Sequence, residues 1–212
     1  VPFVLQIIGA VGLVGYLSFR NGQQAVNDLA FKLQRNVSER VDQHLDSYLE
    51  LPKQVNQINQ SAINQGLLNL NNLKQSEQYF WNQSKIFKNL AFIGYYLENN
   101  SGTGAGFLDP NDPGPTTLYH PTGGLTEYNY ETNNQGKRTK LLAKTEYNAI
   151  AQEWYISTQK AQKPLWRIFT YPDLEGYVSA TLNAPIYDHN RKRIGITAID
   201  LKLPTISEFL RE

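Results

Sequence analysis

The acidic residue whose surroundings most need explaining is Asp200. It lies in residues 194–201, where Gly, Ile, Thr and Ala otherwise predict an apolar strand. A carboxylate in such a strand needs a counter-charge, hydrogen-bond donors or a ligand. Earlier in the chain, Trp154 and Tyr155 are adjacent in a segment expected to form a short helix, and their rings could wall a pocket and attract a cation. These residue types favour a binding site for a small amine or another polar molecule.

Structural roles are the alternative for the same residues. Trp154, Tyr155 and Trp166 could be core residues, because aromatic side chains bury large apolar areas. Asp200 could accept hydrogen bonds from the backbone of a turn, and Asp173 could lie exposed in a Pro-Asp turn. Both interpretations stay open at this point.

Catalysis is poorly supported by the residue inventory. The histidines His44, His120 and His189 lack a His-x-x-x-His spacing, and the chain has neither a Gly-x-Ser-x-Gly motif nor a glycine-rich phosphate loop. Cysteine is absent, which excludes a thiolate metal site. Asp173 and Asp200 could in principle act as an acid and a base. The sequence nevertheless predicts no enzyme activity, no metal and no cofactor for this chain.

The composition gives no support for a nucleic-acid partner. Charged residues make up 18% of the chain, and the formal net charge is +1. Binding to a phosphate backbone calls for a clustered basic face, which this charge balance does not provide.

The elements that hold these residues follow from hydrophobic spacing and turn residues. The expected strands are residues 90–97, 117–120, 125–130, 139–144, 166–171, 177–183 and 193–201, and the expected helices are residues 76–87 and 151–160. Residues 99–106 are rich in Asn, Ser and Gly, so a loop is expected there. Antiparallel strands with helices on one side give an α+β fold.

The first part of the chain is expected to be helical. Residues 1–19 contain no charge, and a helix of that length spans about 28 Å, close to the thickness of a bilayer core. A transmembrane helix is therefore expected, with a signal peptide as the alternative. Apolar residues at intervals of three and four predict a long helical stalk over residues 20–75, kinked or ended at Pro52. Its apolar stripe packs on the domain, forms a parallel dimer seam, or does both.

Four motifs, in their order along the chain, resemble the Cache family of extracytoplasmic sensor domains. They are the pair Trp154-Tyr155, the turn of residues 162–166, the strand and turn of residues 184–188, and the closing strand of residues 195–201. Cache domains are PAS-like modules of bacterial chemoreceptors, histidine kinases and nucleotide cyclases.

The resemblance covers residues 89–203 and has consequences for domain organisation. It implies a PAS-like antiparallel sheet with flanking helices as a sensing module over residues 76–205. Residues 206–212 would then begin a connecting helix. The resemblance also implies that the module lies outside the cytoplasm, in the periplasm, on a receptor of the cell inner membrane.

A ligand site is a further implication of the resemblance. In Cache domains that bind amino acids, an arginine and a tryptophan hold the ligand carboxylate, and acidic residues hold its ammonium. The matching positions here are Tyr147, Gln152, Trp154, Tyr155, Tyr171, Asp173 and Asp200. Gln152 stands where the family has the arginine, and a neutral amide cannot replace the bidentate clamp of a guanidinium. The expected ligand is a small polar or amine-containing molecule rather than a free α-amino acid.

The sequence thus predicts the ligand-sensing domain of a membrane signal-transduction receptor, which passes its signal through the helical stalk of a homodimer. A non-sensing dimerisation or spacer domain, whose pocket is filled by its own side chains, is the alternative. Kinase, cyclase and chemoreceptor outputs are all compatible with the resemblance.

Overall fold

The computed structural model describes residues 2–107, 114–170 and 178–203 of the chain. Two compact units make up the molecule, Val1–Leu49 and Glu50–Glu212. The expected site residues Tyr171 and Asp173 lie outside the described residues, as does the expected connecting helix at residues 206–212.

The first unit is helical and belongs to α1 (Pro2–Asn64). Its apolar side chains are exposed where they are described; Val26 and Leu29, for example, keep 66% and 59% of their surface. In the part of the chain that the structure describes, no helix has both the length and the apolar composition to cross a membrane, in contrast to the expectation for residues 1–19.

α1 continues through Pro52, so the proline does not end the helix, and Asn64 is its last residue. Pro52 and Val55 are both buried. Packing of this face offsets the loss of the backbone hydrogen bond that proline cannot donate. Tertiary burial contributes more to helix stability than intrinsic propensity does.

The second helix, α2 (Leu73–Ile86), begins three residues before its expected start. Asn72 caps it: the Asn72 side chain accepts a hydrogen bond from the Gln75 amide at 3.1 Å. Such a cap satisfies one of the amides that a first helical turn leaves without a partner.

An antiparallel sheet of eight strands forms the body of the second unit. The strands are β1 (Leu90–Leu97), β2 (Gly102–Gly106), β3 (Thr116–His120), β4 (Thr126–Thr132), β5 (Arg138–Glu146), β6 (Leu165–Thr170), β7 (Val178–Tyr187) and β8 (Arg193–Lys202). A short 3-10 helix (Ala149–Ala151) and α3 (Glu153–Ala161) connect β5 to β6. The spatial order is β5-β4-β3-β2-β1-β8-β7-β6, which leaves β5 and β6 at the edges.

The prediction of a loop over residues 99–106 is wrong, because β2 occupies most of that range. Glycine is a poor strand former on its own, but β2 is paired on both sides, with β1 and β3. The Phe92 ring lies over Gly94 and Gly104; a Cβ at Gly94 would come within 2.6 Å of the Phe92 Cζ. Glycine here makes room for an aromatic ring.

Helices cover both faces of the sheet rather than the single face expected. Successive residues of a strand point to opposite faces. Tyr95 of β1 packs against Phe80 of α2, with the ring centroids 5.8 Å apart, whereas Tyr96 packs against Trp154 of α3 at the same separation. The α+β fold of a long N-terminal helix followed by an antiparallel sheet with flanking helices is confirmed.

Candidate functional site

A cavity of about 570 Å³ lies between α3 and the face of the sheet that carries Tyr96. Alternate residues of β1, β4, β5, β7 and β8 reach it, as the pleat requires, whereas the edge strand β6 contributes three consecutive residues. Its lining includes Phe92, Tyr96, Glu127, Asn129, Tyr147, Gln152, Glu153, Trp154, Arg167, Thr181, Asn183, Ala198 and Asp200. Both edge strands also contribute, so the sheet curves around the cavity.

Four of the expected site residues line this cavity together. They are Tyr147, Gln152, Trp154 and Asp200, which come from the segment before α3, from α3 itself and from β8. Tyr155 does not line it; this residue is 2% exposed and belongs to the hydrophobic cluster beside the cavity. The core alternative therefore describes Tyr155, while Trp154 packs against that cluster and also lines the cavity.

The aromatic wall is held in place by a hydrogen bond and by ring contacts. Trp154 Nε1 donates to the Tyr147 hydroxyl at 2.9 Å. Tyr96 contacts both rings, with centroid separations of 5.9 Å to Tyr147 and 5.8 Å to Trp154. Burial raises the pKa of Tyr147 to about 12, so the phenol stays neutral and the negative charge of Asp200 favours that state. Three aromatic side chains with fixed orientations thus line the space that is open to a ligand.

The cavity contains a second carboxylate, Glu127 of β4, in addition to Asp200. The Tyr96 hydroxyl donates to Glu127 Oε2 at 2.5 Å. Burial raises the pKa of the Glu127 carboxyl, while the hydrogen bond from Tyr96, the charge of His120 and a hydrogen bond from Asn129 pull it down. Asp200 is 8% exposed. The cavity therefore has a negative side.

Glu127 was not identified from the sequence, although the strand that carries it was expected. The alternation of Glu127 and Asn129 along β4 was a usable signal, because both side chains must share one face. The signal becomes specific only when the curvature of the sheet brings β4 towards α3.

A guanidinium also reaches the cavity, from Arg167 of β6. It donates to Ser157 Oγ on α3, and its Nη1 is 3.5 Å from Glu153 Oε1. Its Nε is buried and has no hydrogen-bond partner among the residues that the structure describes. Arg167 follows Trp166 of the expected strand, yet nothing in that motif distinguished it as a site residue.

Gln152, which replaces the arginine of Cache domains that bind amino acids, lies at the N-cap position of α3. Its side chain makes no capping bond; Nε2 donates instead to the Asn148 carbonyl at 3.2 Å. The Gln152 side chain therefore accepts no hydrogen bond from the first amides of α3.

The comparisons with known proteins bear on this geometry. The family model described as "Methyl-accepting chemotaxis protein-like, first PDC sensor domain" matches residues 70–208. The chain belongs to this family of sensor domains. The matched range includes every element that lines the cavity. No curated protein matches the chain. The expected relationship to PAS-like, Cache-type sensors of receptors is confirmed.

The PDC domain has a second, larger cleft of about 880 Å³. It lies between the end of α1 and the turn that joins β7 to β8, and Asn and Gln side chains form much of its wall. Of the expected site residues that the structure describes, none lines it. The cavity beneath α3 is therefore the better candidate for a ligand site of this PDC domain.

Proposed function

We propose that this PDC domain is the extracytoplasmic ligand-sensing domain of a membrane signal-transduction receptor, and that its cavity binds a small polar or amine-containing molecule. One observation carries the proposal: aromatic rings and the carboxylates of Glu127 and Asp200 face the same cavity. The proposal contains no catalytic step, and a kinase or cyclase output would belong to another part of the receptor.

The chemistry of the cavity supports a cationic group in the ligand. An ammonium near Glu127 and Asp200 would offset the cost of keeping two carboxylates in a partly buried space. The rings of Tyr96, Tyr147 and Trp154 add π faces, which attract a desolvated cation by up to about 2 kcal/mol. A purely anionic or purely apolar ligand would gain neither interaction.

A route from the cavity to the helix supports a signalling role. Ala198 and Asp200 of β8 face the cavity, whereas Thr197 points to the opposite face. There its hydroxyl hydrogen-bonds Asn56 Oδ1 of α1 at 2.9 Å. A ligand that shifts β8 would therefore change a contact of α1, provided that it binds the two arrangements with different affinity.

The test is a thermal-melting series on the full chain with primary amines, diamines, amino acids and organic acids. A ligand present at about 100 times its dissociation constant should add about 2.7 kcal/mol to the free energy of unfolding. Amines should raise the melting temperature and organic acids should not. If all these classes leave the melting curve unchanged, the proposal fails and the dimerisation or spacer alternative is favoured.

Two conservative variants connect the shift to the cavity. Asp200→Asn removes one charge, and Trp154→Phe removes the hydrogen bond to Tyr147 while keeping a ring. Both should reduce the amine-induced shift and leave a folded domain. Asp46→Asn, at an exposed position of α1, is the matched control and should keep the full shift. A shift that survives both cavity variants would place the ligand elsewhere.

A further inference from the structure

We propose that the ligand also carries an anionic group, which Arg167 binds, so that the cavity selects a molecule with an ammonium at one end and a carboxylate several atoms away, as in an ω-amino acid. This inference rests on the proposed function, because the ammonium end is the amine of that proposal. The ligand expected from the sequence needs no carboxylate, whereas this inference adds one.

Arg167 can bind an anion because its ion pair within the protein is weak. Its hydrogen bond to Ser157 is to a neutral hydroxyl. Its one close carboxylate among the described residues, Glu153, is 3.5 Å away on a side chain that is 88% exposed. Pairs of this kind contribute little, because solvent screens them. The Arg167 side chain lines the cavity and keeps 30% of its surface exposed, so it is accessible to a ligand carboxylate.

Two other arginines of the second unit, Arg138 and Arg193, form close ion pairs within the protein. Arg138 donates from Nε to both carboxylate oxygens of Glu77, at 2.9 and 3.0 Å, and its Nη2 donates to the same group. Arg193 Nη2 lies 2.7 Å from Glu98 Oε1. Those two guanidiniums are held by a close acid within the protein. Arg167 has no acid at such a distance among the described residues, and it faces the cavity.

Strand register separates Arg167 from Asp200. Arg167 of β6 pairs with Thr181 of β7, which pairs with Asp200 of β8. Adjacent strands are about 4.8 Å apart, so the two Cα atoms are about 10 Å apart. The guanidinium extends towards α3, where it meets Ser157, while the shorter Asp200 side chain stays near the sheet. An α-amino acid carries both charges on one carbon, and a longer spacer fits this separation better.

The space between the two charged ends suits such a spacer. Thr181 lies between Arg167 and Asp200 in the same row of the sheet, and Ala198 lies beside it on β8. Both side chains are small, and the Trp154 ring lines the same space from α3. The carbon atoms of these side chains offer apolar contact to a short methylene chain.

The experiment is isothermal titration of the full chain with a matched series of compounds. The series comprises 5-aminopentanoate, pentylamine, which lacks the carboxylate, pentanoate, which lacks the amine, and alanine, which carries both charges on one carbon. We expect 5-aminopentanoate to bind about tenfold more tightly than pentylamine, because a charge-assisted bidentate pair is added. It should also bind more tightly than alanine, whose two charges on one carbon cannot reach Arg167 and Asp200 together. Pentanoate should not bind measurably.

Arginine variants assign the gain to one side chain. Arg167→Gln should lower the affinity for 5-aminopentanoate to that of pentylamine and leave pentylamine binding unchanged. Arg167→Lys keeps the charge without the planar fork and should give an intermediate affinity. Arg191→Gln, at an exposed position of the turn between β7 and β8, is the control and should behave as the wild type.

The outcomes separate the two proposals. If pentylamine binds as tightly as 5-aminopentanoate, or if alanine binds more tightly, the inference is overturned while the amine-binding function stands. The inference is also overturned if Arg167→Gln binds 5-aminopentanoate like the wild type. If neither pentylamine nor 5-aminopentanoate binds the wild-type chain, both proposals fail. The wild-type comparisons need no variant, so they decide even if Arg167→Gln does not fold.

Discussion

Burial and hydrogen bonding act in opposite directions on Glu127. Burial raises the pKa of its carboxyl, and the hydrogen bond from Tyr96 counteracts part of that rise. Protonation as the pH falls through this raised pKa would remove one of the two negative charges that face the cavity. We expect amine affinity to fall over that range, measured by titration of the wild-type chain. Glu127→Gln should lose most of this pH dependence, and the exposed Glu146→Gln should keep it.

The same raised pKa predicts a change of stability with a definite sign. The folded chain holds the Glu127 proton more tightly than the unfolded chain does, so between the two pKa values it binds more protons. The free energy of unfolding should therefore fall as the pH rises through that window. Urea unfolding of the wild type and Glu127→Gln across the window measures the difference, which should narrow at acidic pH. A difference that widens on acidification would contradict this sign.

Residue types and motif order were sufficient to find part of the cavity. Tyr147, Gln152, Trp154 and Asp200 were identified because they lie in recognisable local patterns, and all four line it. The binding roles of these residues remain predictions. Glu127 and Arg167 were missed because their importance depends on the curvature of the sheet, which brings β4 and β6 to the same space. No local pattern encodes that distance.

At the scale of elements, strand-favouring runs bounded by turn residues predicted most strands, while turn composition misled at β2. Gly102, Gly104 and Gly106 favour a turn on propensity alone. Because they lack side chains, neighbouring groups can approach them closely: the Phe92 ring covers Gly104, and a Cβ at Gly106 would meet the Ala91 carbonyl. Pairing on both sides overrides the local preference. The continuation of α1 through Pro52 has the same type of cause, namely burial on one face.

β2 gives a prediction for a single methyl group. Gly104→Ala would drive a Cβ into the Phe92 ring and the backbone of Ile93, so we expect a loss of about 1–3 kcal/mol in the free energy of unfolding. Urea unfolding followed by circular dichroism measures it. Gly114→Ala, where a Cβ meets open space, is the control and should stay within about 0.5 kcal/mol of the wild type. Equal stability of the two variants would mean that the close contact is relieved at no cost.

At the scale of the whole molecule, the first unit contributes none of the buried core residues that the structure describes. We therefore expect a chain of residues 50–212 to unfold cooperatively and to bind the same ligands as the full chain. Circular dichroism melting and titration with pentylamine measure this. A chain of residues 50–212 that fails to fold would show that residues 1–49 are needed for the sheet.

The first unit has a separate expected role in the proposed homodimer. Val26, Leu29, Leu33 and Val37 are exposed and follow one another at intervals of three and four, which is the spacing of a helical seam. The full chain should be dimeric by light scattering, and Leu29→Glu should shift it towards the monomer. Gln24→Glu, on the opposite side of the helix, is the control and should leave the dimer intact. A monomeric wild-type chain would contradict the dimer.

The cavity is lined from Ala143 and Thr145 of β5 to Arg167 of β6, the two edges of one sheet. These edges share no backbone ladder, so a bound molecule long enough to touch both would act as a cross-brace between the β4–β5 and β6–β7 hairpins. A shorter molecule could occupy one end and leave the other hairpin unrestrained. Occupancy and activation would then be separable, and compounds that keep the ammonium but lack the anionic end would be competitive antagonists of the proposed receptor.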